Sequence, residues 1–121
     1  MAYYYLASPY SKFPKGRAVA HFLACREAGR LIAAGVPVFS PIAHSHPIAE
    51  FSGIDPNDHD IWLPADKPMM DAAGGLIVLK LEGWFNSKGV EYEMAEFRAR
   101  GLPVVYMEPG QVPLVLQQEG R

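Results

Sequence analysis

The sequence of 121 residues has little cysteine and no long apolar run, and these absences exclude several classes of protein. Its one cysteine, Cys25, cannot form an internal disulfide, and no cysteine and histidine pattern with zinc-binding spacing surrounds it. A single thiol suits a reducing compartment, so we expect a cytoplasmic protein. The N-terminus does not resemble a signal peptide and no run of about 18 apolar residues occurs, so we expect no membrane partner.

A basic excess is also missing. The chain has 11 lysine and arginine residues against 13 aspartate and glutamate residues, which gives a formal net charge of −2. Proteins that bind nucleic acid polymers usually carry a basic surface, so we expect no such partner. The Walker motif and the G-x-G-x-x-G motif are missing as well, so the sequence gives no support to an ATP or dinucleotide site.

What the sequence does contain is an alternation of apolar runs and helical patterns, over a length that suits one domain, residues 1–121. The patterns predict strands at 3–7, 36–39, 76–81 and 103–106, and helices at 16–34, 63–73 and 89–100. Strands that alternate with helices predict an α/β fold, in which a doubly wound parallel sheet has helices on both faces.

Each predicted helix has one apolar side that we expect to be buried. In the first helix, residues at spacings of four and three form this side: Ala18, Phe22, Cys25, Gly29 and Ile32. The second and third helices have shorter sets, Leu63, Met69, Met70 and Ala73 in one, and Val90, Met94 and Phe97 in the other.

Two segments lack a clear period. Residues 40–60 hold three prolines and three histidines, and we expect a long loop, with or without a short helical turn. Long loops in compact domains are often functional. Residues 109–121 predict either a last strand or a segment that docks on a partner. Ligands of open parallel sheets bind beyond the carboxyl ends of the strands, which directs attention to the loops at 8–12, 40–60 and 82–89.

Glu93 is the strongest candidate for chemistry. Ser87 can cap the helix before it, Gly89 lets a ligand approach the backbone, and the free N–H groups there favour an anion. The helix dipole would help to keep Glu93 ionised, as the nucleophile of a glycosyl transfer must be. The alternative is an ordinary capped helix with acidic residues in its first turns.

Asp66 is the second candidate. It falls in the first turn of the predicted helix at 63–73, where an aspartate is favoured for capping alone. Its functional interest depends on pairing with Glu93, because two carboxyl groups at one sugar can divide the work of attack and proton donation.

Three histidines, His44, His46 and His59, fall within residues 40–60 and make a metal-dependent hydrolase an alternative to consider. Their spacing is not the H-E-x-x-H of a zinc protease, so we expect no metal. We expect His44 to contact the substrate instead, or to make hydrogen bonds within the loop.

Aromatic residues form two groups. The tyrosines of the first predicted strand are expected in the core. Tyr10, Trp62 and Trp84 fall outside the strands, and their rings could stack on a base, although packing explains each of them equally well.

Three short motifs, in order and at suitable spacing, resemble those of nucleoside 2-deoxyribosyltransferases. Residues 5–10, YLASPY, are similar to the opening strand and loop of that family, and residues 66–71, DKPMMD, to its Asp-led helix. The third motif comprises Ser87, Gly89, Val90, Tyr92 and Glu93, followed by Gly101, Pro103 and Val104. It is most similar to the branch that hydrolyses 2′-deoxynucleoside 5′-monophosphates.

The resemblance implies a role for each matched residue. Glu93 would attack C1′ of a deoxyribose, and Asp66 would position the sugar or help to protonate the leaving base. Ser87 and Gly89 would bind the 5′-phosphate or 5′-hydroxyl. Ser8 and Tyr10 would line the same pocket.

The resemblance also implies a flavodoxin-like sheet of four to five strands and a homodimer or homotetramer. The partner would be a small nucleoside or nucleotide, and no cofactor is implied. Whether water or a second base accepts the sugar stays open, because it depends on how well the site excludes water. A fold does not guarantee its family's chemistry, so a nucleotide-binding or sensing module without turnover is the alternative.

Overall fold

The computed structural model describes residues 2–119 as alternating strands and helices. The strands are β1 (Tyr4–Ala7), β2 (Val38–Phe39), β3 (Gly75–Leu79) and β4 (Val104–Met107). The helices are α1 (Arg17–Ala33), α2 (Pro41–Ser52), α3 (His59–Ala72), α4 (Lys88–Ala99) and α5 (Leu114–Glu119), and a 3₁₀ turn spans Trp84–Asn86. Within residues 2–119, every helix is too short or too polar to cross a membrane.

The four strands form one parallel sheet in the order β2-β1-β3-β4. Tyr5 of β1 lies opposite Phe39 of β2 on one side and Leu76 of β3 on the other, and Leu76 lies opposite Val104 of β4. This is the order of a doubly wound, flavodoxin-like sheet, so the predicted fold class is confirmed.

Alternate residues of the strands enter two separate cores. Tyr4 and Leu6 pack with α1 and α5 on one face of the sheet. Tyr5 and Ala7 pack with α3 and α4 on the other. Strands buried on both faces account for the continuous apolar run at 76–81, and helices cover both faces as predicted.

The predicted buried side of α1 is wrong. Phe22 and Ile32 are each 60% exposed. The buried residues of the helix lie on a neighbouring side: Ala20, Ala24, Glu27, Ala28 and Leu31. Three alanines at successive turns make up most of the buried side, and the larger apolar residues face outwards.

The expected long loop at 40–60 is also wrong, because α2 occupies most of it. Ser40 caps this helix by accepting a hydrogen bond from the N–H of Ala43 at 3.1 Å. Pro41 follows in the first turn, where a missing N–H costs nothing. Gly53 ends the helix with a φ of 79°, a conformation that favours glycine.

Helix α3 begins at His59, earlier than predicted, so Asp66 lies in the middle of the helix and not in its first turn. Of the predicted buried side, Met70 and Ala73 are buried, but Leu63 and Met69 are 50% and 39% exposed.

The other two predicted segments differ in outcome. In α4, Val90 and Phe97 are buried and Met94 is partly buried, as predicted. In the tail, α5 takes the place of the expected strand and buries Leu116 against the first core, while docking on a partner stays a prediction. The last two residues of this predicted segment lie outside the described residues.

Candidate functional site

A small pocket of about 80 Å³ lies between α3 and α4, beside the buried ring of Tyr5. Its lining contains two carboxyl groups, two phenols and an ammonium group among apolar side chains. The residues that line it are Tyr5, Leu63, Asp66, Lys67, Met70, Gly89, Tyr92 and Glu93.

The start of α4 brings Glu93 to this pocket. Ser87 caps the helix by accepting a hydrogen bond from the N–H of Val90 at 3.3 Å. Val90 and Phe97 bury one side of α4 against the sheet. Gly89 and Glu93 lie one turn apart on the side that faces α3, so both line the pocket.

Asp66 approaches from the opposite wall. One turn after it, Met70 is buried in the second core and fixes this side of α3 against the sheet. The Oδ1 atom of Asp66 is buried and has no hydrogen-bond partner. A buried carboxyl oxygen without a partner is costly, which marks this position as unusual.

The two carboxyl groups influence each other's protonation. Burial and the charge of Asp66 together raise the pKa of Glu93 to about 8. Burial also raises the pKa of Asp66, and the charge of His44 opposes that rise. Two carboxyl groups in one poorly hydrated pocket do not both ionise readily, so at neutral pH the free site retains a proton.

This protonation differs from the sequence-based expectation that the helix dipole keeps Glu93 ionised. Glu93 lies beyond the first turn of α4, where the dipole has little effect. A helix N-terminus stabilises a carboxylate by about 1 kcal/mol, which is less than the cost of moving its pKa from 4.5 to about 8 at about 1.4 kcal/mol per pH unit. Burial therefore decides the protonation of Glu93.

Tyr5 is the site residue that sequence analysis missed, because it was assigned to the core. Its ring is buried between those of Phe39 and Phe97, at centroid distances of 5.9 and 6.1 Å. Burial and the charges of Glu93 and Asp66 raise the pKa of its hydroxyl far above the usual value. The feature that could have identified Tyr5 is its position on the face of β1 that packs against α3 and α4.

Two other predicted residues lie near the pocket without lining it, and Ser8 is a third that is not part of the lining. His44 is close enough for its charge to lower the pKa of Asp66, and its ring centre is 5.7 Å from that of Phe39. Ser87 forms the cap beside Gly89. Ser8, just after β1, has a buried hydroxyl oxygen with no hydrogen-bond partner.

Tyr10 belongs to a different cluster, between α1 and α2. Its hydroxyl is hydrogen-bonded to Nδ1 of His46 at 2.6 Å. The ring of His46 stacks on that of His21 at 4.3 Å, and Nε2 of His21 lies 3.3 Å from the sulfur of Cys25. Burial raises the pKa of the Cys25 thiol. Tyr10 does not line the pocket between α3 and α4.

Trp62 is also turned away from the pocket. Its indole N–H donates to the carbonyl of Asp55 at 2.9 Å, which ties α3 to the preceding loop. The loop histidines do not converge, because His44 lies against Phe39 and His46 against Tyr10. Among residues 2–119, no three potential metal ligands come together.

A larger pocket of about 300 Å³ lies on the other flank of α4. Aromatic and apolar side chains with two charged groups line it: Trp84, Phe85, Val90, Glu91, Met94, Ala95 and Arg98. It contains a single carboxyl group, and the guanidinium of Arg98 is engaged by the hydroxyl of Tyr106 at 2.7 Å. The smaller pocket, with paired carboxyl groups and two phenols, is therefore the better candidate for acid–base or nucleophilic chemistry.

Comparison with known proteins places the chain in a family. Residues 2–109 match the model of a family described as "Domain of unknown function (DUF1937)", so the chain belongs to that family. No curated protein matches the sequence.

Proposed function

For this member of the DUF1937 family, we propose cleavage of the N-glycosidic bond of a 2′-deoxynucleoside or its 5′-monophosphate, with Glu93 as the nucleophile. The observation that carries the proposal is the pairing of Glu93 with Asp66 in one pocket, where both have raised pKa values. Glycosidic cleavage commonly uses two carboxyl groups, one that attacks and one that donates a proton. The resemblance to nucleoside 2-deoxyribosyltransferases supports the same assignment.

The shared proton gives the two groups different tasks. Transfer of the proton from Glu93 to Asp66 leaves Glu93 ionised and Asp66 able to act as an acid. The Glu93 carboxylate then forms a bond to C1′ as the bond to the base breaks, and Asp66 gives its proton to the leaving base. Water or a second base next forms a bond to C1′ as the bond to Glu93 breaks, and the ionised Asp66 takes the proton that the incoming group gives up, which completes hydrolysis or transfer.

The Tyr5 hydroxyl assists this step by staying protonated. Because its pKa is raised, it stays a hydrogen-bond donor that is available to an ionised carboxylate, and it does not compete as a nucleophile. A phenol held between Phe39 and Phe97 also has little freedom, so it fixes the direction from which the carboxylate attacks.

The shape of the pocket suits the sugar more closely than the whole nucleoside. A volume of about 80 Å³ accommodates the reacting ring, and the base then extends outwards past Leu63 and Tyr92. These side chains are 50% and 42% exposed and offer apolar surface at the pocket mouth. We assign the N–H groups beside Ser87 and Gly89 to the 5′ substituent.

The assembly and location of the protein belong to the same proposal. We expect a homodimer or homotetramer in the cytoplasm that acts on small nucleosides or nucleotides without a cofactor. The other residues predicted to bind substrate, which are Ser8, Tyr10, His44 and Trp62, lie outside the pocket lining. His44, which influences Asp66, is the one of these four that we expect to affect turnover most.

The test is incubation with a panel of deoxynucleosides and their 5′-monophosphates, with and without a free acceptor base. Chromatography would follow released and exchanged bases. We expect release by the wild type and by the control variant Glu91→Ala, and none by Glu93→Ala. Base release that survives in folded Glu93→Ala would remove Glu93 from the mechanism.

A nucleotide-binding module without turnover is the second candidate, because the free site retains a proton that the nucleophilic form must lose. It predicts thermal stabilisation by a nucleotide with no product. Stabilisation without base release across the panel would favour this candidate, whereas release that depends on Glu93 would eliminate it.

A further inference from the structure

Helix α3 carries Asp66 but is held weakly by its own residues. Pro64 and Pro68 lie inside it, and a proline offers no N–H to the carbonyl four residues earlier. Asp58 makes no side-chain capping bond at its start, and Met70 is the one helix residue described as buried. The position of Asp66 therefore depends on contacts made by other parts of the chain.

Those contacts gather at the C-terminal end of α3. The Nη1 atom of Arg100 donates to the carbonyl of Met70 at 3.2 Å, and Nη2 donates to that of Asp71 at 2.7 Å. The hydroxyl of Tyr3 donates to the carbonyl of Met69 at 2.6 Å. Carbonyls in the last turn of a helix lack partners within the helix, so these three bonds satisfy and fix its end.

Arg100 directly follows α4, the helix that carries Glu93. Its guanidinium carbon lies 5.2 Å from the ring centre of Phe97, a fully buried residue of α4. One side chain thus joins the ends of the two helices that form the pocket. Lys67, 3.8 Å from Glu96, adds a partly exposed link, and such pairs contribute little.

We propose that Arg100 is a positioning residue, which sets the separation of the Asp66 and Glu93 carboxyl groups by fixing α3 to α4. This inference rests on the function proposed above. Arg100 acts through position and not through its charge. The pKa of Glu93 responds to burial and Asp66, and that of Asp66 to burial and His44, without a contribution from Arg100.

The test is Arg100→Met, which removes the donors but keeps an unbranched side chain over Phe97. Carbon NMR would follow the titration of the Glu93 carboxyl, and kinetics would give kcat and KM for base release. A loosened α3 admits water, so we expect the titration midpoint to fall by at least about half a pH unit. Misplacement of Asp66 should lower kcat by about tenfold or more, with a smaller effect on KM.

Arg98→Met is the matched control, because Arg98 lies on the same helix but bonds to Tyr106 and not to α3. We expect its titration midpoint to equal that of the wild type. An unchanged midpoint in folded Arg100→Met would overturn the positioning role.

A second variant keeps the test decisive if Arg100→Met does not fold. Tyr3→Phe removes one hydrogen bond to the same helix end. A smaller downward shift of the midpoint in this variant supports the proposal, and no shift overturns it. The midpoint requires no turnover. A wild type that releases no base would therefore defeat the proposed function, while the midpoint would still decide whether Arg100 sets the separation.

Discussion

Glu27 is fully buried and Glu93 is half-buried, and the groups that surround the two carboxyl groups are of opposite kinds. Glu27 on α1 is fully buried and accepts hydrogen bonds from two guanidinium groups, Arg30 at 3.1 Å and Arg26 at 3.3 Å. It also accepts one from the N–H of Gly110 at 2.9 Å. Burial acts to raise the pKa of Glu27, but these donors outweigh it and hold the pKa below the usual value.

Glu93 shares its pocket with a second carboxyl group instead. Burial and the charge of Asp66 act in the same direction and raise the pKa of Glu93 to about 8. The Glu27 cluster joins the segment around Gly110 to α1 and so stabilises the fold. The pair of Glu93 and Asp66 destabilises the fold instead, because the ionisation of Glu93 is suppressed and Oδ1 of Asp66 lacks a hydrogen-bond partner. A fold that keeps such a pair is more simply explained by chemistry than by stability.

The largest expected effect separates the two glutamates by activity. Glu93→Gln should lower base release by at least about a thousandfold, because the amide cannot form the glycosyl bond. Glu27→Gln should keep activity within about threefold of the wild type in chromatographic assays at a temperature where both variants are folded. Equal losses in both variants would show that a general weakening of the fold, and not the chemistry of Glu93, lowers the rate.

The second prediction compares stability in place of activity, and here Glu27→Gln should have the damaging effect. Glu27→Gln should lower the free energy of unfolding by about 2 kcal/mol at pH 7, because charged hydrogen bonds are lost at a buried site. The pKa of Glu27 is depressed in the folded state, so its stabilisation is present above pH 4.5 and is lost as the pH falls through the folded pKa. Urea unfolding at pH 7 and pH 3 would check this, and a difference as large at pH 3 as at pH 7 would contradict it.

The third prediction concerns the opposite pH dependence of Glu93. Its folded pKa is raised, so between pH 4.5 and about 8 the unfolded chain releases a proton that the folded protein keeps. Stability from this group is therefore lost as the pH rises through that window. Glu93→Gln has no such loss, and its melting temperature should exceed that of the wild type by roughly a few °C at pH 8.

The gain in the melting temperature of Glu93→Gln should shrink towards pH 5, because keeping the proton there costs the folded wild type little free energy. Glu91→Gln, an exposed neighbour in α4, should show no such trend. A difference between Glu93→Gln and wild type that does not change with pH would mean that Glu93 titrates near its ordinary pKa.

The sheet and α4 could be predicted because their patterns are local and strong. The apolar run at 76–81 is long enough to require burial on both faces, and β3 occupies Gly75–Leu79. In α4, Val90 and Phe97 recur at helical spacing next to a serine cap, so pattern and packing agree. Where apolar pattern, helix capping and packing all favour the same element, the sequence alone is sufficient to predict that element.

The prediction failed for α1 and α2, where tertiary packing overrides residue type. Apolar size favoured Phe22 for burial, but the side of α1 that is buried consists largely of small residues such as Ala24. The prolines at 41 and 47 indicated a loop, although Pro41 occupies the first turn, where it is tolerated, and α2 continues through Pro47.

For the site, sequence motifs identified three of the residues that line the pocket, but not the rest of the lining or the protonation of the carboxyl groups. Glu93, Asp66 and Gly89 come to one pocket, and Tyr5 was missed because a strand tyrosine looks like core. The pKa of Glu93 depends on how α3 excludes water from α4, which is a long-range property that no local pattern carries. Sequence reasoning therefore proposed an ionised carboxylate where burial favours a protonated one.

The smallest expected effect separates the two causes of the raised pKa of Glu93, which are burial and the charge of Asp66. Burial is the larger cause of its raised pKa and the charge of Asp66 the smaller. Asp66→Asn removes the charge and keeps the shape, so the NMR titration midpoint of Glu93 should fall by less than about one pH unit and stay well above 4.5. Asp71→Asn is the matched control, because Asp71 lies on the same helix but is exposed and paired with Lys67 at 3.0 Å. A midpoint that falls to the ordinary glutamate value in Asp66→Asn would mean that the partner's charge, and not burial, distinguishes Glu93 from Glu27. In that case the two glutamates would differ only in the sign of the charge beside them.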